Sequence, residues 1–247
     1  MTPLPWYWRE TDTPWGPLVA HVLDRYVGFS LLAYGEFSPD EWRALVGWLP
    51  GPDAIVVDVG ANIGGLTIPL AHHAAHVHAF EPQPEMADAL EENVRRAGQG
   101  RVTVHRAACG AAAGTIRLPR VRYDQPGNFG GVRLGGEGAE VPVMTLDSLH
   151  LPWVDLIKID VEGAELDVLA GATDTVARCR PLCYVEADRE NQGPGHVNAL
   201  VAWFKARRYM VEWHNPPLYS PENHAQNPLC AEHLRNVVSL NIWCTPL

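Results

Sequence analysis

Ala54-Ile55-Val56-Val57-Asp58-Val59-Gly60-Ala61-Asn62-Ile63-Gly64-Gly65 is an apolar run that ends in a glycine turn, and Leu66-Thr67-Ile68-Pro69-Leu70-Ala71 continues it as the start of a helix. A continuous apolar run bounded by turn residues suits a strand covered on both faces, hence a parallel sheet. Gly60 and Gly64 let the backbone turn sharply and approach a ligand with no Cβ in the way. The free amides opening the next helix then face that ligand. A dinucleotide fingerprint G-x-G-x-x-G begun at Gly60 finds Gly65 in place but Asn62 where the middle glycine admits the pyrophosphate, which argues against NAD. Ala75-His76-Val77-His78-Ala79-Phe80-Glu81-Pro82 predicts a second strand ending in an acid. Glu81 follows Gly60 by 21 residues, the separation at which a carboxylate accepts both ribose hydroxyls of an adenosine. That feature is common to NAD and S-adenosylmethionine. Asp58 suits the second, because a carboxylate pairs with its aminoacyl ammonium. The competing expectation for Asp58 is a turn carboxylate that bonds local amides.

The chain has 247 residues, room for one domain with an appendage: an N-terminal arm and helix over 1–50 and the main domain over 51–247. No apolar run approaches the roughly 20 residues of a membrane span. Met1-Thr2-Pro3-Leu4-Pro5-Trp6 lacks the basic start and apolar core of a signal peptide. A formal net charge of −10 argues against nucleic acid as a partner, since phosphate binding needs clustered Lys and Arg. Cys109, Cys179, Cys183, Cys230 and Cys244 form no CxxC pair, and three intervening residues between Cys179 and Cys183, without a second pair, make a poor zinc spacing. All five read as reduced, which favours the cytoplasm.

Trp6, Trp8 and Trp15 among prolines predict an extended arm or small hairpin, serving either as an aromatic lid or as cover for a sheet edge. Ser38-Pro39-Asp40-Glu41 predicts a helix start with Ser38 as N-cap and Glu41 completing a capping box. Trp42, Leu45, Val46 and Leu49 form its apolar face, and Pro50-Gly51-Pro52 ends it. Beyond the opening strand and helix, the pattern predicts a helix over 84–97, a strand over 102–108, a β-hairpin insertion over 110–138, an edge strand over 141–144 and a strand over 155–160. It continues with one helix over 162–178, turning Leu166, Leu169, Ala170, Thr173 and Val176 inward, then a strand over 181–186 and a helix over 197–207. Strands over 209–213 and 236–244 close the chain. Strands and helices alternate until two final strands with no helix between them. That predicts an open, mostly parallel α/β sheet of seven strands, helices on both faces, and an antiparallel last strand.

Val57-Asp58-Val59-Gly60-Ala61-Asn62-Ile63-Gly64, Phe80-Glu81-Pro82-Gln83-Pro84, Asn128-Phe129-Gly130-Gly131-Val132, Thr145-Leu146-Asp147-Ser148-Leu149 and Lys158-Ile159-Asp160-Val161-Glu162-Gly163-Ala164-Glu165 occur in this order. Together they resemble the FkbM family of S-adenosylmethionine-dependent methyltransferases, over roughly residues 28–247. The resemblance implies a Rossmann-like methyltransferase fold and O-methylation of a small molecule such as a natural product, sugar or glycan-like acceptor. It also implies that Asp58, Gly60, Asn62 and Gly64 line the aminoacyl part of the donor. Glu81 would hold the ribose, with Pro82 and Gln83 near the adenine and Ala107 and Ala108 bordering the ring.

Methyl transfer to oxygen is an in-line displacement, so the acceptor oxygen must be held about 3–3.5 Å from the methyl carbon. An alcohol is a weak nucleophile, so a group must take or polarise its proton. Candidates lie at the carboxyl ends of the strands beside the cradle: Asp160 and Glu162 after one, Glu186 and Asp188 after the next. Asp160, Glu162 and Glu186 are the expected catalytic carboxylates. In a variant, Asp160, Glu186 and Asp188 ligate Mg²⁺, which the sequence does not require. Glu165 reads as a helix-terminus acid. Lys158, inside an apolar strand, needs a partner such as Asp155 or Asp160. Asn128 is expected in a turn over the site, offering its amide to substrate or held only by local bonds. His214 and His224 are expected near substrate. His72, His73, His76 and His78 cross from helix to strand, which scatters them as metal ligands. Two other functions fit the same features: a non-catalytic S-adenosylmethionine-binding module and a nicotinamide-dependent oxidoreductase.

Overall fold

The computed structural model describes residues 5–247; the stretch Met1–Leu4, read above for a leader, lies outside them. A hairpin comes first, β1 (Trp8–Thr11) against β2 (Leu18–His21), followed by α1 (Val27–Tyr34) and α2 (Pro39–Gly47). The alternating part runs β3 (Ile55–Val59), α3 (Thr67–His73), β4 (His76–Phe80), α4 (Pro84–Arg96) and β5 (Val102–His105). A small sheet follows from β6 (Ala108–Cys109), β7 (Gly114–Pro119) and β8 (Gly138–Met144). The chain then continues through β9 (Leu156–Ile159), α5 (Glu165–Ala170), α6 (Thr173–Cys179), β10 (Leu182–Glu186), α7 (Pro194–Ala206), β11 (Tyr209–His214) and β12 (Asn241–Pro246).

Seven strands form the main sheet in the order β11-β12-β10-β9-β3-β4-β5. All run parallel except β12, which lies antiparallel between β10 and β11, as the missing helix before it predicts. Side chains alternate across each strand. Val57, Val59, Ile157 and Ile159 therefore pack under α5–α7, while Val56, Leu156, Tyr184 and Trp243 face α2 and α3. The order jumps from β3 to β9 in mid-sheet, and such a switch point opens a crevice at the strand carboxyl ends. No helix among the described residues is long and apolar enough to cross a membrane.

Several local expectations change. Ser38 holds the N-cap position as expected but in the left-handed region (φ 43°), and its hydroxyl caps no amide, donating instead to the Glu41 carboxylate at 2.6 Å. Pro39 starts the helix but bars αR from the residue before it. The strand expected over 102–108 divides, because Ala108–Cys109 leaves the main sheet to pair with β8. The insertion is a hairpin, yet its second strand is the segment expected as an edge strand, and residues 120–137 form a long connection between β7 and β8. The single helix expected over 162–178 is two. Asp147 accepts from the Asp174 and Thr175 amides at 3.1 and 2.8 Å and so caps a fresh start. At Gly171, a Cβ would lie 2.0 Å from the Gly110 carbonyl oxygen. Val168 is buried there, and Ala170 is exposed. The last strand begins at Asn241, not Asn236.

Candidate active site

Lys158 and Asp58 are register neighbours on adjacent parallel strands. Lys158 Nζ lies 3.2 Å from Asp58 Oδ1 and donates to the Gly60 carbonyl at 2.9 Å, while Thr67 Oγ1 donates to Asp58 Oδ2 at 2.6 Å. Asp58 is fully buried and lines neither cavity described below. Its expected contact with the donor ammonium gives way to a supporting role, because strand alternation turns its side chain toward α3. Of the expected partners of Lys158, Asp160 forms a second ion pair at 3.9 Å, longer than that to Asp58, while Asp155 instead accepts from the Ile55 amide. Burial works against the Lys158 charge, but Asp58, Asp160 and Glu41 more than offset it and raise its pKa.

Above this pair the turn is tightly packed. Gly60 has φ +83°, and a Cβ there would stand 1.9 Å from the Asp160 carbonyl oxygen, so no other residue fits. Asn62 takes φ 51°, its Oδ1 accepts from the Ile63 amide, and its buried Nδ2 is left without a partner. Gly64 packs toward Leu90 and Ile68 and, against expectation, lies outside both cavities; Gly65 and Leu66 line the larger one in its place.

Two adjoining cavities share Gly60, Glu81, Gly130 and Asp160. The narrower one is walled by Pro82, Gln83, Ala107, Ala108 and Cys109, small or flat groups that leave a slot for a planar ring. Glu81 stands between the two. Its Oε2 accepts from the Asn62 amide at 2.9 Å and its Oε1 from the Gln83 amide at 2.8 Å. Burial pushes its carboxyl up to about 7, with those amides and Lys158 pulling back. The remaining lone pairs are what a ribose diol needs. The Gln83 side chain is committed elsewhere, donating to the Phe129 carbonyl and accepting from the Tyr123 hydroxyl, both at 2.9 Å. A glycine cradle, a carboxylate between two cavities and a slot lined by small residues therefore fit S-adenosylmethionine.

The larger cavity, about 250 Å³, has an acidic side formed by Asp160, Glu162, Glu186 and Asp188. Oxygens of Asp160, Glu162 and Glu186 lie within 4.8 Å of one another, the one such group of potential metal ligands found among the described residues. Asp188 is not part of it, because its carboxylate accepts from the Glu190 and Asn191 amides and from Asn191 Nδ2. Crowding makes these carboxyls harder to ionise. Burial and the neighbouring acids push Glu186 up to about 10 and Glu162 to about 7, whereas Lys158 restrains the rise at Asp160. Gln192 Nε2 donates to Glu186 at 2.7 Å. Glu165, expected as a helix-end acid, accepts from the Gly163 amide and also meets His196 Nε2 at 2.7 Å. The opposite side is apolar, with Val27, Phe37, Leu66, Leu218, Val237 and Leu240.

Asn128 lines this cavity, and its Oδ1 accepts from the Gly131 amide in the local turn. His214 and His224 do not reach it. His214 Nδ1 meets the Tyr184 hydroxyl at 2.9 Å beside Trp243, and His224 Nε2 meets Asp12. Trp8 and Trp15 are buried in apolar clusters and Trp6 is exposed, so the arm's tryptophans cover rather than line. Two residues were missed: Ser239 in the cavity wall, and Glu41 behind it. Glu41 has a sequence signal, an acid near the start of an amphipathic helix, but the capping box accounts for it locally.

Residues 58–211 match the model of the methyltransferase FkbM domain. The 31-O-demethyl-FK506 methyltransferase FkbM of Streptomyces tacrolimicus is 31% identical over 245 residues, covering 84% of this chain and 91% of that protein. The AMB antimetabolite synthetase AmbE of Pseudomonas aeruginosa is 30% identical over 237 residues, covering 78% of this chain, which spans 11% of the synthetase. Among solved structures, the methyltransferase FkbM from Methylobacillus flagellatus KT superposes with a TM-score of 0.55 at 19% identity, covering 80% of this chain and 45% of that one. That likeness concerns the Rossmann-like fold, in which β12 is the antiparallel strand.

Proposed function

The chain belongs to the FkbM methyltransferase family, and from that premise we propose that it transfers the methyl group of S-adenosylmethionine to a hydroxyl of a small molecule. One observation carries the reading: the donor cradle opens directly onto the carboxyl group of three, Asp160, Glu162 and Glu186. Bound there, the donor supplies an electrophilic methyl on a sulfonium. Glu81 holds the ribose, Ala107 and Ala108 admit the adenine, and Asn62 Nδ2 offers its unpartnered donor to the aminoacyl carboxylate. Asp160, Glu162 and Glu186 face positive charge and orient the acceptor. Glu186, pushed up to about 10, keeps its proton at neutral pH and donates a hydrogen bond.

A small hydroxylated acceptor accords with the size of the cavity and with a net charge of −10, which disfavours a phosphate backbone. The cysteines are free, in keeping with a reducing compartment such as the cytoplasm. Positive charge on the donor already answers the carboxyl group, so this reading does not call on Mg²⁺; the three oxygens are nonetheless of the type Mg²⁺ accepts.

The test is transfer of labelled methyl from S-adenosylmethionine to a panel of matched alcohols and amines, with and without chelator. Products labelled on oxygen, at a rate EDTA does not change, are expected. Tight donor binding without transfer to any acceptor would favour a binding module, and labelling confined to amines would overturn the O-acceptor.

A further inference from the structure

Behind the cavity wall lies a buried carboxyl that the donor cradle does not use. Glu41, on α2, is 2% exposed. Ser38 Oγ donates to its Oε2 at 2.6 Å, and Ser239 Oγ donates to its Oε1 at 3.4 Å. Ser239 lines the cavity and is itself fixed by Asn241 Nδ2, which donates to its Oγ at 2.6 Å. On the sheet side, Glu41 faces the register neighbours Lys158 and Tyr184, with Asp160 beyond. Tyr184 is fully buried, with its hydroxyl between Glu41 and His214. Lys158 influences Glu41 from a distance but is engaged by Asp58 and the Gly60 carbonyl, so Glu41 has hydroxyl partners and no ion pair of its own.

We propose that Ser239 receives the acceptor hydroxyl and that Glu41, acting through Ser239, takes its proton. The inference rests on the O-methyltransferase reading. In the step, the acceptor oxygen bonds to the methyl carbon as the carbon–sulfur bond breaks, and that electron pair returns to sulfur. The acceptor O–H proton moves to Ser239 Oγ while the proton of Ser239 moves to the Glu41 carboxylate, so no other reactant is needed. The three carboxyls in the cavity serve this purpose less well. Burial and the neighbouring acids favour the protonated form of Glu186, and a donor cation facing Asp160 and Glu162 lowers their basicity. Glu41 lies outside both cavities, and burial pushes its carboxyl up to about 7, with Ser38, Lys158 and Ser239 pulling back and Asp160 adding. That value is matched to accepting a proton near neutral pH. Both Glu41 and Ser239 lie outside residues 58–211.

Glu41→Gln and Ser239→Ala test it. Each is expected to lower kcat about a hundredfold with donor affinity unchanged, and the double variant to be no slower than the worse single one. The wild-type kcat is expected to rise with pH through about 7, Glu41→Gln to abolish that limb and Glu162→Gln to preserve it. Infrared difference spectra of wild type against Glu41→Gln, which need no turnover, are expected to show a carboxyl titrating near neutral pH that Ser239→Ala displaces. Unchanged kcat and pH profile in Glu41→Gln on a hydroxyl acceptor, or a Glu41 band indifferent to Ser239, overturns the proposal. Labelling of amines alone would instead overturn the reading on which it rests.

Discussion

Glu81 shows how one side chain joins sequence spacing to ligand chemistry. Its distance from Gly60 marks it in the sequence, and the structure adds that each oxygen already accepts one backbone amide. On the proposed role, a ribose diol donating to the remaining lone pairs would favour the ionised form, so donor binding would drive a proton off a carboxyl that burial holds up at about 7. Donor affinity should therefore tighten as pH rises through about 7. Glu81→Gln should weaken binding by about 2 kcal/mol, roughly thirtyfold, and release fewer protons in calorimetry run in buffers of different ionisation enthalpy. Asp58 teaches the opposite lesson. The sequence marks it as important, but which of two neighbouring charges it meets depends on strand register, and the register pairs it with Lys158. Glu41 was hidden for a related reason: a local capping pattern explains an acid at that position, and its tertiary partners Ser239 and Tyr184 lie far along the chain.

At the scale of elements, glycine and apolar runs locate β3, β4, β9 and β10 because a parallel strand buried on both faces must be apolar along its length. Boundaries set by distant caps are not legible in this way. The break between α5 and α6 depends on Asp147, 27 residues before the amide of Asp174 that it holds. The attachment of the N-terminal hairpin is similarly non-local. Asn93, fully buried on α4, accepts from the Val19 amide at 2.6 Å and donates to the Val19 and Ile63 carbonyls at 3.0 and 2.9 Å. It thereby ties β2 to the turn that forms the cradle. The hairpin's continuation holds the loop over the site, with the Arg25 amide donating to the Gly127 carbonyl and the Gly127 amide to the Leu23 carbonyl. Asn93→Leu strands three buried backbone groups and should cost about 3 kcal/mol, lowering the thermal midpoint by about 6–12 °C. Calorimetry of the free protein reads this directly.

For the molecule as a whole, buried ionisable groups set a stability profile. Glu41, Glu81 and Glu162 are raised from 4.5 to about 7 and Glu186 to about 10. A carboxyl with a raised folded-state pKa binds more protons folded than unfolded. Its contribution is complete below about 4.5 and is lost as pH rises through the folded value. His21 and His78, lowered by burial from 6.5 to about 4, act in the opposite sense between those two values. The two sets compete in weak acid; above about 6.5 the carboxyls prevail, joined near 9 by the buried thiols of Cys109, Cys183 and Cys244, which burial raises and which act in the same sense. Thermal denaturation of the ligand-free protein should therefore show its midpoint falling steadily from neutral pH toward about 10, and the donor should reduce that fall by favouring the ionised carboxyls.

The lining of the larger cavity also divides along the chain. Its acidic side and the cradle come from residues 60–191, and its apolar side and Ser239 come largely from 26–37 and 218–240. The second set lies outside the stretch that matches the family model. On the proposed function, the donor cradle and the carboxyls that orient the acceptor thus lie in one stretch of the polypeptide, and the apolar wall and Ser239 that meet the acceptor lie in the two flanking it. Chimeras that keep residues 58–211 and exchange the two flanking stretches are therefore expected to change the acceptor while leaving donor affinity in place.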